Sequence, residues 1–186
     1  MFAAEPPQEP LPYGRWAEAL RERFEAAADE QPAGELTWFP DRSFGGRTYV
    51  PVTAPTGEGE VCGYVSYRRE HEGAQATDFQ ADSFSTDDTA DQNPDWKLDL
   101  NDLEIGHWRG PQGRRGRISL VWGRALVPNG AVVTAELGPT TTDQCELIED
   151  RFTLVTLDDF TGDYVEVRLY GPRGMELAAE PLYEED

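Results

Sequence analysis

The chain has 186 residues, with 36 acidic side chains against 16 basic ones and a formal net charge of −20 at neutral pH. That balance excludes a protein that coats nucleic acid or an anionic membrane, because neutralising phosphate takes clustered Lys and Arg. Apolar residues make up 38% and include five Trp, seven Tyr and eight Phe, which excludes disorder throughout and suits one domain with a sizeable core.

Residues 1–12, with Pro6, Pro7, Pro10 and Pro12, read as a flexible Pro-rich arm. Tyr13, Trp16, Leu20 and Phe24 then recur every three or four residues, predicting one amphipathic helix over about 13–29 that ends before Pro32 and Gly34. Neither the arm nor any later stretch has the apolar run of a signal peptide or a membrane span. Cys62 and Cys145 form no CxxC pair and no disulfide framework, and are expected as buried small hydrophobes. Together these features predict a cytoplasmic setting.

From Glu35 the pattern changes to short Val-, Thr- and aromatic-rich runs punctuated by Gly, Pro, Asp and Asn. About nine or ten strands are expected, in a single β-rich domain over 13–183 followed by an acidic tail, 184–186. No long helical stretch separates the strands, so the expected fold is mainly β: an antiparallel β-sandwich or barrel with one N-terminal amphipathic helix. Pro51 predicts an edge position for the strand over 47–53. Asn129-Gly130 predicts a hairpin between the strands on either side, and Gly171 to Gly174 a second one after the Val165, Val167, Leu169 alternation.

Within the region that opens the β pattern, Trp38 and Tyr49 flank a Gly-flexed run of charges, Asp41 to Arg47. With Trp108, Arg114 and Arg115 they are candidate contacts for a small ligand, since a cleft needs ring surface and a few polar groups. The arginines from Arg109 to Arg117, spaced by Gly110, Gly113 and Gly116, are expected to form a hairpin loop.

The densest feature lies between Glu70 and Glu104, where eleven carboxylates meet one basic residue, Lys97. Carboxylates packed this closely must be solvated, bind a cation or face a basic partner. Asp78, Asp82, Asp87, Asp88, Asp91 and Asp95 are the candidate partner-binding residues. Asp91, Asn93, Asp95, Asp99 and Asp102 fall at relative positions 1, 3, 5, 9 and 12, a spacing that resembles an EF-hand or dockerin calcium loop. Pro94 and Trp96 depart from that pattern at positions 4 and 6, the latter normally Gly. The resemblance implies Ca2+ as the one candidate cofactor.

No HExxH, GxSxG, P-loop or GxGxxG occurs, and the only histidines are His71 and His107. The expected function is therefore non-enzymatic: an acidic protein that recognises a basic macromolecular partner through 70–104, with an inhibitor- or immunity-like role in that class. The alternatives are a small-ligand or calcium-binding β module and, further off, a hydrolase on a β scaffold.

Overall fold

A computed structural model describes residues 16–71, 74–110, 113, 115–158 and 165–182. The expected Pro-rich arm, Tyr13, Arg114 and the acidic tail 184–186 lie outside these residues. The described elements are one helix and twelve strands in three antiparallel sheets, none of them closed. The chain divides into two compact units between Asp95 and Trp96.

The N-terminal unit holds α1 (Ala17–Ala27), β1 (Thr37–Trp38), β2 (Arg42–Phe44), β3 (Arg47–Pro55), β4 (Glu60–Arg68) and β5 (Thr77–Thr86). Its sheet runs β1-β3-β4-β5, with β2 also pairing β3. The predicted helical face is the packed one: Leu20 and Phe24 are buried against Val50, Val52, Val61, Val65 and Tyr67. Burying each of those two side chains contributes about 2 kcal/mol. The helix ends at Ala28, whose backbone turns extended, and the Ser83 hydroxyl of β5 donates to the Ala27 carbonyl at 3.0 Å, tying that end to the sheet.

Pro51 is not on an edge strand, because β3 pairs β4 on one side and the two short strands on the other. β2 covers Arg47 to Tyr49 and β1 covers Val52 and Thr53, so Pro51 falls in the gap between them. Its carbonyl accepts from the Phe39 N–H at 3.0 Å on that same side. The missing proline N–H therefore faces a break in the ladder and costs no strand hydrogen bond.

The C-terminal unit holds β6 (Leu98–Arg109), β7 (Arg115–Ala125), β8 (Val132–Leu137), β9 (Thr140–Glu146), β10 (Arg151–Leu157), β11 (Val165–Tyr170) and β12 (Glu176–Pro181). One sheet runs β10-β7-β6 and the other β12-β11-β8-β9. A single core draws on both: Leu98, Val121, Phe152 and Leu154 from the first, and Val133, Ala135, Val165, Val167 and Leu169 from the second. The buried Asp143 of β9 accepts the Val155 N–H of β10 at 2.9 Å, so a side chain stands in for a strand partner across the two sheets.

The arginine loop is the β6–β7 hairpin, closing at Arg109 opposite Arg115. The Gly171 to Gly174 turn is also a hairpin, joining β11 to β12, with Gly174 at φ +73. The Asn129 turn exists, with Asn129 at φ +65, yet it is not a hairpin: β7 and β8 belong to different sheets, and the turn carries the chain from one to the other. A local turn signal fixes the bend and says nothing of which partner the next strand takes. Both cysteines are buried. No helix among the described residues is long and apolar enough to cross a membrane.

Candidate functional site

From Asp78 to Glu104 the carboxylates fall on β5, on the loop from residue 87 to 97, and on β6, and they divide by whether an arginine holds them. Asp99 stands directly opposite Arg124 in the β6–β7 ladder and pairs with it at 3.4 Å. Asp102 takes Arg117 at 2.6 Å, and Glu104 lies 3.9 Å from the same guanidinium and 3.4 Å from His107. Burial raises the pKa values of Asp99 and Asp102, and the neighbouring arginines offset only part of that rise. Asp78 on β5 is held by Arg47 and, at 3.4 Å, by Arg68. The second sheet of the C-terminal unit repeats the theme, with Arg168 bound between Glu136, Glu166 and Glu176.

The other candidate carboxylates differ. Asp82, Asp87, Asp88, Asp91 and Asp95 are all exposed, and none has an ion pair among the described residues. They follow one another from β5 into the loop, which is folded back on itself. The Asp88 N–H donates to the Thr86 hydroxyl at 3.1 Å, Gln92 and Asn93 donate backbone N–H groups to the Thr89 and Ala90 carbonyls, and the Asn93 amide donates to both the Thr89 carbonyl and the Asp88 carboxylate. These bonds hold the loop as consecutive turns, so its charge is presented at a defined place. At the end of β5, Asp87 also shares a surface hollow of about 230 Å3 with Glu30, Glu58, Thr56 and Thr86, adding two carboxylates from distant parts of the sequence.

The sheet face turned away from α1 carries Arg47, Tyr49, Tyr64, Ser66 and Asp82. Arg47 of β3 reaches across β4: its Nη1 donates to the Ser66 hydroxyl at 3.2 Å and to the Asp78 carbonyl at 2.7 Å, while its Nη2 holds the Asp78 carboxylate. Asp78 sits at φ +53, a left-handed conformation that Asp tolerates, and the arginine fixes it there. Beside this brace Tyr49 and Tyr64 meet edge to face, with centroids 5.4 Å apart. Burial, with the Asp82 charge next in size, pushes the Tyr64 phenol up to about 12. Tyr49 is raised too, chiefly by burial and against the pull of Arg47.

That shift gives a direct check on where Asp82 points its charge. In an alkaline absorbance titration Tyr64 should ionise near 12, and in Asp82→Asn its midpoint should fall, since the anion no longer opposes phenolate formation. The folded value lies above the ordinary value of 10.0, so the stability Tyr64 contributes is complete below pH 10 and is lost as pH rises through about 12. An unchanged midpoint would place Asp82 away from Tyr64.

Asp91, Asn93 and Asp95 lie in the loop, whereas Asp99 and Asp102 are strand residues committed to Arg124 and Arg117. Among the described residues no three His, Cys, Asp or Glu side chains gather so as to hold a metal ion. Trp38 packs on Phe24 in the N-terminal core, and Tyr49 is buried in the sheet. Trp108 donates its indole N–H to the Asp158 carbonyl at 2.9 Å and lies over Gly116, where any Cβ would collide with the ring. Arg115 opens β7 as an exposed residue. Arg47, Tyr64 and Ser66 are the residues that sequence reasoning passes over as a group. Their alternation along β3 and β4 puts them on one face only once the register Tyr49 opposite Ser66 is known.

Comparison with known proteins finds no family model, no curated protein and no solved structure that matches this chain.

Proposed function

We propose that this is a non-enzymatic binding protein whose β5 and following loop recognise a basic macromolecular partner, with Asp82, Asp87, Asp88, Asp91 and Asp95 as the contact charges. The observation that carries this reading is the division of the acidic segment. Asp78, Asp99, Asp102 and Glu104 are met by arginines of their own unit, and the five exposed aspartates are not. Anions left together in solvent repel one another, and a cationic surface relieves that repulsion. An inhibitor- or immunity-like role belongs to this class of function, and the two C-terminal sheets that share a core suit a sandwich as its scaffold. The protein is expected to work in the cytoplasm.

The test is capture of basic proteins on the immobilised full chain, followed by elution in rising NaCl. The retained proteins should be basic and should elute well below about 1 M, where the screening length has shrunk to about 3 Å. Retention that is equal at low and high salt would defeat an electrostatic mechanism.

A further inference from the structure

Resting on that reading, we infer how the partner sits: an extended Lys- or Arg-rich segment of a protein adds to the sheet as a new strand along the outer edge of β5. β5 is the terminal strand of its sheet, has no proline, and pairs β4 in regular register from Gln80 to Thr86, after a register shift beside the left-handed Asp78. The Asp82 and Thr86 carbonyls face β4, lying against Gly63 and Gly59. Strand geometry then turns the backbone groups of Phe79, Ala81, Ser83 and Ser85 outward. The Ser83 N–H is taken by the Asp82 carboxylate at 3.0 Å. Phe79, Ala81 and Ser85 have no outward backbone partner among the described residues.

An exposed edge of this length invites a strand, and natural edges are guarded by charge. Here every charge on the strand and on the loop as far as Asp95 is acidic. A second copy laid along β5 would set Asp82 and its neighbours against their own kind, so charge selects against self-pairing and for a basic strand. Geometry also sets the spacing within that strand. Residues that hydrogen-bond to Phe79, Ala81 and Ser85 share the face on which α1 packs, and the residues between them stand opposite Gln80 and Asp82. The partner segment therefore carries basic residues at every second position, with apolar or small ones between. A basic helix, whose period is 3.6, does not meet this pattern.

The probe is an end-capped peptide of four Lys-Val repeats, titrated onto the full chain at about 20 mM NaCl, where charge is weakly screened. Its control carries N-methyl groups on the valine amides, which keeps every charge and removes the N–H groups that would pair with β5. The expected result is at least about tenfold weaker binding of the methylated peptide, a similar loss in Ser85→Pro, and slowed hydrogen exchange at Phe79, Ala81 and Ser85 with the parent peptide. The Ser85 N–H faces outward, so proline there spares the ladder to β4, and the methylated peptide gives an answer even if that variant is destabilised. Salt-sensitive binding that ignores both changes would overturn the edge proposal and leave the charge reading standing. Failure of the parent peptide to bind would also overturn the edge proposal, and the elution of basic proteins then judges the charge reading separately.

Discussion

Arg47→Met should lower the stability of the N-terminal unit by about 3 kcal/mol, the largest effect expected of a single polar residue in this chain. Arg47 is 7% exposed and spans three strands, giving β4 a bond at Ser66 and β5 two bonds at Asp78. Methionine fills much of the same volume and takes away every donor. The Asp78 carboxylate is half exposed, so water recovers part of its loss, which keeps the expected cost at the lower end for a broken buried pair. The Asp78 carbonyl and its left-handed backbone lose their tether as well. Arg47→Lys keeps the charge without the fork and should recover less than half of the loss. Urea unfolding measures this directly: with a slope of about 1–3 kcal/mol/M, the midpoint should drop by about 1–3 M. A loss below about 0.5 kcal/mol in Arg47→Met would mean that the brace is not structural.

The second large effect concerns recognition. Changing Asp82, Asp87, Asp88, Asp91 and Asp95 together to Asn should weaken binding of the basic partner by about 100-fold at low salt. Each exposed charge contact is worth about 0.5 kcal/mol, and together five approach the 2.7 kcal/mol of a hundredfold change. Most of the loss should appear in the association rate, because solvent-exposed charge acts by steering. Stability should hold or rise slightly, since these side chains make no ion pair among the described residues and their removal eases self-repulsion. The contrast with Arg47→Met is informative: one change damages the fold and spares the surface charge, the other does the reverse.

Sequence alone reveals the local half of this arrangement. The 3.6-residue spacing of Leu20 and Phe24 and the two-residue spacing of Val165, Val167 and Leu169 each show a buried face, because helix and strand geometry impose those periods directly. β2 and β9 are invisible to the same reasoning. Arg42 to Phe44 and Thr140 to Glu146 are polar runs that become strands through their partners β3 and β8. The Asn129 turn shows the same limit, since its bend is local and the choice of sheet is not.

The acidic segment divides for the same reason. Its density is plain in the sequence, but the arginines that hold part of it are far along the chain: 31 residues from Asp78 to Arg47, 25 from Asp99 to Arg124 and 15 from Asp102 to Arg117. Only strand register brings those pairs together, and only then do Asp82, Asp87, Asp88, Asp91 and Asp95 stand out as aspartates with no ion pair among the described residues. The regular spacing of Asp91, Asn93, Asp95, Asp99 and Asp102 points to calcium on paper, and the start of β6 at Leu98 takes the last two into a ladder beside arginines.

The measurement closest to the central claim is the dissociation constant of the captured basic partner over about 50 to 500 mM NaCl, for three forms of the full chain. These are the natural sequence, the variant with the five aspartates changed to Asn, and a charge-matched control with Glu146, Glu149, Asp150, Glu176 and Glu180 of the C-terminal unit neutralised. Binding should weaken steeply with salt for the natural chain and the control, and should show a flat, uniformly weak profile for the five-Asn variant. Equal salt profiles for the two neutralised variants would show that net charge alone is responsible, and would contradict a recognition surface on β5 and its loop.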